Sequence, residues 1–230
     1  VTTGEALRLQ VIRETGASPQ RVTSIPTGID LARYRPGDRE AARAQVGLGA
    51  AGFIIGIVAT LRSWKGHRYL IEALAGLPAE VSLVIVGDGP QQGALTAQVA
   101  EAGLAARVTF AGNQSDVAPW LRAFDCFALP SYANEGVPQA LMQAMATGLP
   151  VVTTRAGAIG EIVSDGATGL LVPTQDPGAL VAALVRLRDD PALAASLGHA
   201  ALATARERFS LERMLDAMQG VFEDARVPTP

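Results

Sequence analysis

Residues 131–153 read SYANEGVPQALMQAMATGLPVVT and set a carboxylate, a stretch of open backbone donors and a helix start side by side, directly after the apolar run 124–129. Such a junction suits a ligand that carries both an anionic group and hydroxyls. Pro138 fits the first position of the following helix, where its missing N–H would be unpaired in any case. The N–H groups of Gly136 and Val137 before the proline, and of Gln139 and Ala140 after it, are then free, with the positive end of the helix dipole behind them. That arrangement is a phosphate site. Glu135 stands at its edge, and Gln143 lies one turn beyond Gln139, about 6 Å up the same face. Leu141, Ala144 and Met145 form the inner face, and Gly148 ends the helix. The same strand, glycine-proline turn and amphipathic helix also occur in α/β proteins with no ligand there.

Four further segments carry candidate chemistry. Residues 56–73, GIVATLRSWKGHRYLIEA, run from a buried strand through a basic loop into a helix, which places Arg62 and Lys65 for phosphate contact rather than as solvated charges. Residues 82–90, SLVIVGDGP, end a buried strand in the turn Gly87-Asp88-Gly89, where Asp88 also suits a turn conformation by itself. Residues 108–113, VTFAGN, lead to Asn113, Gln114 and Asp116 as contacts for a base or ribose, with Ser115 or Asp116 alternatively the N-cap of a helix to Ala123. Residues 23–36, TSIPTGIDLARYRP, form an entering strand and loop. His67 reads as a helix N-terminal residue, His199 has no evident partner, and Glu161 reads as turn architecture. Trp64 and Trp120 read as packing residues.

These segments, in this order, resemble the C-terminal, donor-binding domain of the group 1 retaining glycosyltransferases of the GT-B fold, and the resemblance covers nearly the whole chain. Glu135 and Gln143, with seven residues between them, match the family's Glu-x7-Glu segment, with Gln in place of the second Glu. The resemblance implies that the first residue reaches hydroxyls of the transferred sugar and that the second bonds the donor's ribose, which a Gln amide also does. It assigns the basic loop to the donor diphosphate. Here too the chain departs: Thr60 stands five residues before Lys65, where the family often has Arg, and Arg62 stands three before it. The implied site is Glu135, Lys65 and Arg62 for catalysis, with Gly87, Asp88, Gly89, Asn113, Asp116, Gly136, Val137, Pro138, Gln139 and Gln143 for the donor.

Composition agrees. The chain has 230 residues, 49% hydrophobic, with a net charge of -3, so nothing in the charge balance favours nucleic acid or a polybasic membrane anchor. One cysteine, Cys126, lies in an apolar run and excludes a disulfide framework. No run reaches the roughly 18 apolar residues of a membrane span, and the start lacks a signal-peptide pattern. Short, mostly unalternated apolar runs at 22–25, 53–60, 81–86, 108–110, 124–129 and 150–153 predict about six strands of a parallel, Rossmann-like sheet. Helical patterns at 66–77, 91–103, 115–123 and 138–147 cover both faces, and 176–189, 191–209 and 210–223 form a helical C-terminal tail with Ser210 as an N-cap.

The expected organisation is a terminal helix or linker from a missing N-terminal domain over 1–20, a nucleotide-sugar-binding domain over 21–225, and a tail over 226–230. Together these make one half of a GT-B fold. The expected function is retaining transfer of a sugar from a nucleoside diphosphate to an acceptor hydroxyl, in cell-envelope polysaccharide or glycolipid synthesis. No Asp-x-Asp pair suggests a metal, and no cofactor beyond the nucleotide sugar is expected. The acceptor sugar or glycolipid would reach the site through the missing domain, without which the chain would bind nucleotide and transfer nothing. The location would be the cytoplasm, with peripheral contact at the inner membrane face through the full protein. Two other classes stand beside this one. A non-catalytic nucleotide-sugar module is motivated by Gln143, and a dinucleotide-dependent oxidoreductase by the Gly87-Asp88-Gly89 turn, although Gly93 comes one residue late for that fingerprint.

Overall fold

The computed structural model describes residues 1–133 and 135–226. Six parallel strands, β1 (Phe53–Val58), β2 (Val81–Val86), β3 (Val108–Gly112), β4 (Cys126–Leu129), β5 (Val151–Thr153) and β6 (Leu170–Leu171), form one sheet in the order β3-β2-β1-β4-β5-β6. β1 pairs with β2 from Phe53↔Val81 to Val58↔Val86, and with β4 at Ile55↔Cys126 and Gly56↔Phe127. All four residues of β4 are buried, as unalternated apolar sequence requires of a central strand covered on both faces.

Nine helices are described: α1 (Glu5–Thr15), α2 (Arg39–Gln45), α3 (His67–Ala75), α4 (Gln92–Glu101), α5 (Ala118–Ala123), α6 (Gln139–Ala146), α7 (Pro177–Asp189), α8 (Pro191–Arg208) and α9 (Leu211–Arg226). Right-handed crossovers put α3 and α4 on one face, and the reversal of direction after β3 puts α5 and α6 on the other. α7 joins the first layer through α3, while α2 packs on α5 and α8 on α6 in the second. Where the winding reverses, β1 and β4 lie side by side, and the loops after them open over the same point of the sheet. That is where ligands of such sheets bind. None of the described helices is long and apolar enough to cross a membrane.

The structure corrects several boundaries. Residues 22–25 do not enter the sheet; Thr2 pairs with Ser24 in an isolated bridge, and the sixth strand is Leu170–Leu171. Pro138 is the N-cap of α6, with ψ 115°, rather than its first residue. The short helix α2 was not expected, and α1 is tied to this domain by the Glu161 carboxylate, which accepts from the N–H groups of Glu5 and Ala6 at 2.7 and 2.8 Å. Glu161 is thus architectural, and Ser210 caps α9 by accepting from the Arg213 N–H at 3.1 Å. Of the expected tail, Arg226 is the last residue of α9, and 227–230 lie outside the described residues.

Beneath the sheet, at the opposite end from the loops that carry the candidate chemistry, lies a buried charge cluster. Arg43 of α2 is 4% exposed; it donates to the carbonyls of Ala123 and Ala50 and to the Asp125 carboxylate. Asp125 also accepts from the Ile54 N–H at 2.7 Å.

Candidate functional site

Lys65 follows β1 and Glu135 follows β4, and at the reversal point the two side chains meet. Lys65 Nζ donates to both carboxylate oxygens of Glu135, at 2.7 and 2.9 Å. The Glu135 side chain is 3% exposed and that of Lys65 21%, so the carboxylate is sunk while the lysine side chain remains partly exposed. Buried Ser131 fixes the carboxylate from behind, its hydroxyl donating to Oε1 at 2.6 Å. Ser131 is held in turn, because its carbonyl accepts from the Thr154 hydroxyl.

The two loops are clasped by their backbones. The Tyr132 N–H donates to the Trp64 carbonyl at 2.9 Å, and the Tyr132 ring meets Tyr69 edge-on at 6.0 Å. Gly66 has φ +78°, and a Cβ there would stand 2.0 Å from the Pro130 carbonyl oxygen. Any side chain at that position would pry the basic loop from the acidic one.

Beside this pair lies a cleft of about 250 Å³. Its walls come from the ends of β1, β2 and β3 and from the start of α6: Thr60, Gly87, Asp88, Asn113, Gln139 and Gln143 are among the lining residues. Among the described residues no acceptor pairs with the N–H groups of Gly136, Val137, Gln139 or Ala140. Space around Gly136 is open, and Val137 packs against Gly4. Gln139 and Ala140 thus bring the start of α6 into the wall of the cleft.

Not every expected residue joins it. Arg62 is exposed on the same loop, with its guanidinium 5.7 Å from the Trp64 ring centroid, and pairs with no carboxylate among the described residues. Gly89 does not line the cleft; it lets the β1 and β2 loops cross, since a Cβ would stand 2.8 Å from the Leu61 nitrogen. Asp116, expected at the base or ribose, is not among the residues lining the cleft. It accepts from the Ala118 N–H at 3.0 Å and pairs with Arg33 at 3.0 Å, while the N-cap of α5 is Val117 and neither Ser115 nor Asp116. The Ala118 hydrogen bond is the main reason its carboxyl lies below the usual range, with Arg33 adding to it. Sequence reasoning missed Ser131 and named Thr60 only as a departure from the family, not as a wall of the cleft. Ser131 is one helical turn's spacing before Glu135 in the sequence, a signal available only once Glu135 is singled out.

His67 opens α3 at 2% exposure, with neither ring nitrogen partnered among the described residues. Burial, and secondarily the Lys65 charge, lower its pKa from 6.5 to about 4. The neutral ring is buried at neutral pH, while the unfolded chain takes up a proton below pH 6.5. Stability therefore falls as pH drops from 6.5 toward 4, by an amount on the order of 3 kcal/mol from this residue. Urea midpoints at pH 7 and 4.5 should draw together in His67→Phe by most of that amount; an unchanged pH dependence would remove His67 from the account. Cys126, wholly buried in β4, has its thiol pKa pushed up by burial and takes no part in the site.

The glycosyl transferases group 1 family model matches residues 52–190. The D-inositol 3-phosphate glycosyltransferase of Rhodococcus opacus is 37% identical over 232 residues, covering 96% of this chain and 51% of its own length. The lipopolysaccharide core biosynthesis mannosyltransferase LpsB of Rhizobium meliloti is 35% identical over 213 residues, covering 87% of this chain and 60% of its own. The chain thus spans about half the length of the curated relatives it matches. Among solved structures, Anabaena HepE in complex with UDP-glucose superposes with a TM-score of 0.90 at 28% identity, covering 97% of this chain and 63% of that one. Sucrose-phosphate synthase from Thermosynechococcus elongatus gives 0.88 at 30% identity, covering 97% and 57%.

Proposed function

The chain belongs to the group 1 glycosyltransferases, and from that premise we propose that it is the donor-binding half of a retaining, metal-independent enzyme that takes its sugar from UDP. The observation that carries the reading is the Lys65–Glu135 pair at the β1/β4 reversal, beside the cleft and the open amides of α6. The uracil and ribose would occupy the cleft between Gly87, Asn113 and Gln143. The diphosphate would lie across the α6 N-terminus and reach Lys65.

Transfer breaks the bond between the anomeric carbon and the diphosphate, and negative charge grows on the departing phosphate oxygen. Fixed donors aimed at that oxygen lower the barrier without reorganising. Lys65, the N–H groups of Gly136, Val137, Gln139 and Ala140 and, from the same loop as Lys65, Arg62 would supply them, so the step would need no cofactor beyond the nucleotide sugar. Glu135 already accepts from Lys65 and Ser131. It is suited to orient the sugar and hold Lys65, not to serve as a base. The hydroxylated acceptor, a sugar, cyclitol or glycolipid headgroup, would come from the rest of the enzyme. The relatives that act on inositol 3-phosphate and lipopolysaccharide core support a role in envelope or small-glycoside synthesis.

Calorimetric titration of the chain with UDP, UDP-glucose, GDP and NAD tests the reading. UDP and UDP-glucose are expected to bind; binding of NAD alone would replace it with the oxidoreductase class.

Gln143 gives a finer test. Gln143→Leu keeps the size but removes the acceptor, and should weaken UDP binding by about 1 to 3 kcal/mol as ribose hydroxyls lose a partner. Gln143→Glu should stay within about tenfold of wild type. Equal UDP affinity in wild type and Gln143→Leu would leave only Glu135 and the α6 start of the motif.

A further inference from the structure

The loop that presents Glu135 is not held by bonds of its own. N–H groups that are to meet a ligand must stay unpaired, and among the described residues 135–137 make one backbone hydrogen bond, from the Ala158 N–H to the Glu135 carbonyl at 3.2 Å. Lys65 and Ser131 fix the Glu135 carboxylate, but neither reaches Gly136 or Val137. The backbone there depends on what packs against it.

Two glycines let a brace approach. Gly157, after β5, has φ +54°, and a Cβ there would stand 1.8 Å from the Glu135 carbonyl oxygen, so this chain segment lies directly on the loop. A short 3-10 turn, Ile159–Glu161, then leads to the carboxylate that accepts from the Glu5 and Ala6 N–H groups. The N-cap of α1 is Gly4, which has no side chain, so an anion 156 residues from Glu5 caps the helix instead. Gly4 is buried, and a Cβ on it would stand 3.3 Å from Val137 Cγ2 and 3.5 Å from Ala158 Cβ. The segment before it is anchored: the Thr2 N–H donates to the Thr23 carbonyl and the Thr2 carbonyl accepts from the Ile25 N–H, both at 2.8 Å. These contacts close a ring, from Glu135 to Ala158, through the turn to Glu161, on to α1, and from Gly4 back to Val137.

We propose that Glu161 and Gly4 are positioning residues of the donor site, and that the start of α1 braces the loop from Glu135 to Val137. This rests on the donor reading above. Neither residue touches the donor in that reading; they set where Glu135 and the Val137 N–H stand. The effect should be uneven along the ligand. Gln139 and Ala140 belong to α6 and keep their place with the helix, whereas the sugar depends on Glu135, which the loop carries. Loosening the brace should therefore cost the sugar end of the donor more than the nucleotide end.

Calorimetry with UDP and with UDP-glucose on the 230-residue chain, beside urea denaturation of the same samples, tests this. Glu161→Ala is expected to weaken UDP-glucose binding about five- to tenfold more than UDP binding, the effect of roughly one net hydrogen bond to the sugar. Glu161→Gln keeps one acceptor for α1 and should fall between alanine and wild type. Gly4→Ala leaves the Glu161 carboxylate in place but crowds Val137; it should show the same bias, and Val137→Ala added to it should remove part of that bias. A purely structural role would lower the urea midpoint and move the two affinities together or not at all, and either result in Glu161→Ala and Gly4→Ala would overturn the proposal. A wild-type chain that binds neither ligand would overturn the donor reading, and this proposal with it; wild-type binding without bias in the variants would overturn this proposal alone.

Discussion

Asp125→Ala is expected to cost about 3 to 5 kcal/mol of folding stability, the penalty for stranding a buried charge. The Arg43 side chain is 5% exposed and that of Asp125 11%, so water cannot replace the lost carboxylate. Arg43 would keep its bonds to Ala123 and Ala50 but no counter-charge, and the Ile54 N–H at the start of β1 would lose its acceptor. Arg39, the other partner of Asp125, is too exposed for its loss to add much. Thermal denaturation should show the midpoint lowered by roughly 6 to 20 °C for a domain of this size. Asp125→Asn keeps an acceptor for Ile54 and should fall between wild type and alanine. A midpoint in Asp125→Ala within 2 °C of wild type would show that the cluster is not the clamp between α2, α5 and β1 that its burial indicates.

That cluster also shows what the sequence could not disclose. Arg43 and Asp125 are charged residues 82 apart, and charged residues are ordinarily solvated. Only the docking of α2 on α5 sinks them, and α2 itself, seven residues rich in Arg, Glu and Gln, carries little apolar periodicity. The sheet was legible where strands are long and buried on both faces, as in β1 and β2. It was not legible at β6, where two residues are held by pairing with β5 rather than by any pattern of their own. Residues 22–25 failed in the opposite sense, an apolar run without a neighbour in the sheet.

The site divides along the same line. The helix start after β4 is local chemistry, readable from Gly136, Pro138 and the apolar face of α6. The Lys65–Glu135 bond spans 70 residues and depends on β1 and β4 being neighbours, which follows from strand order and not from spacing. Asp116 offered two local roles, and its partner Arg33, 83 residues away, belonged to neither of them.

Lys65→Met separates two consequences of that long-range bond, and both should be large. In the folded chain Glu135 would keep Ser131 but lose the only cation that reaches it among the described residues. A carboxylate left at 3% exposure is destabilising by about 3 to 5 kcal/mol in a fully buried pair. Lys65 itself is 21% exposed, so water partly fills its place and a loss of about 2 to 3 kcal/mol is the fitting expectation. For the ligand, loss of a charged donor to the diphosphate should weaken UDP binding by about 1.5 to 3 kcal/mol. Glu135→Gln in the same chain removes the stranded charge. The double variant Lys65→Met/Glu135→Gln should therefore regain most of the stability while recovering none of the UDP affinity, as read by urea denaturation and calorimetry on the same samples. If UDP affinity returned together with stability, Lys65 would act only by holding the Glu135 loop in place. The diphosphate would then rest on the α6 amides alone.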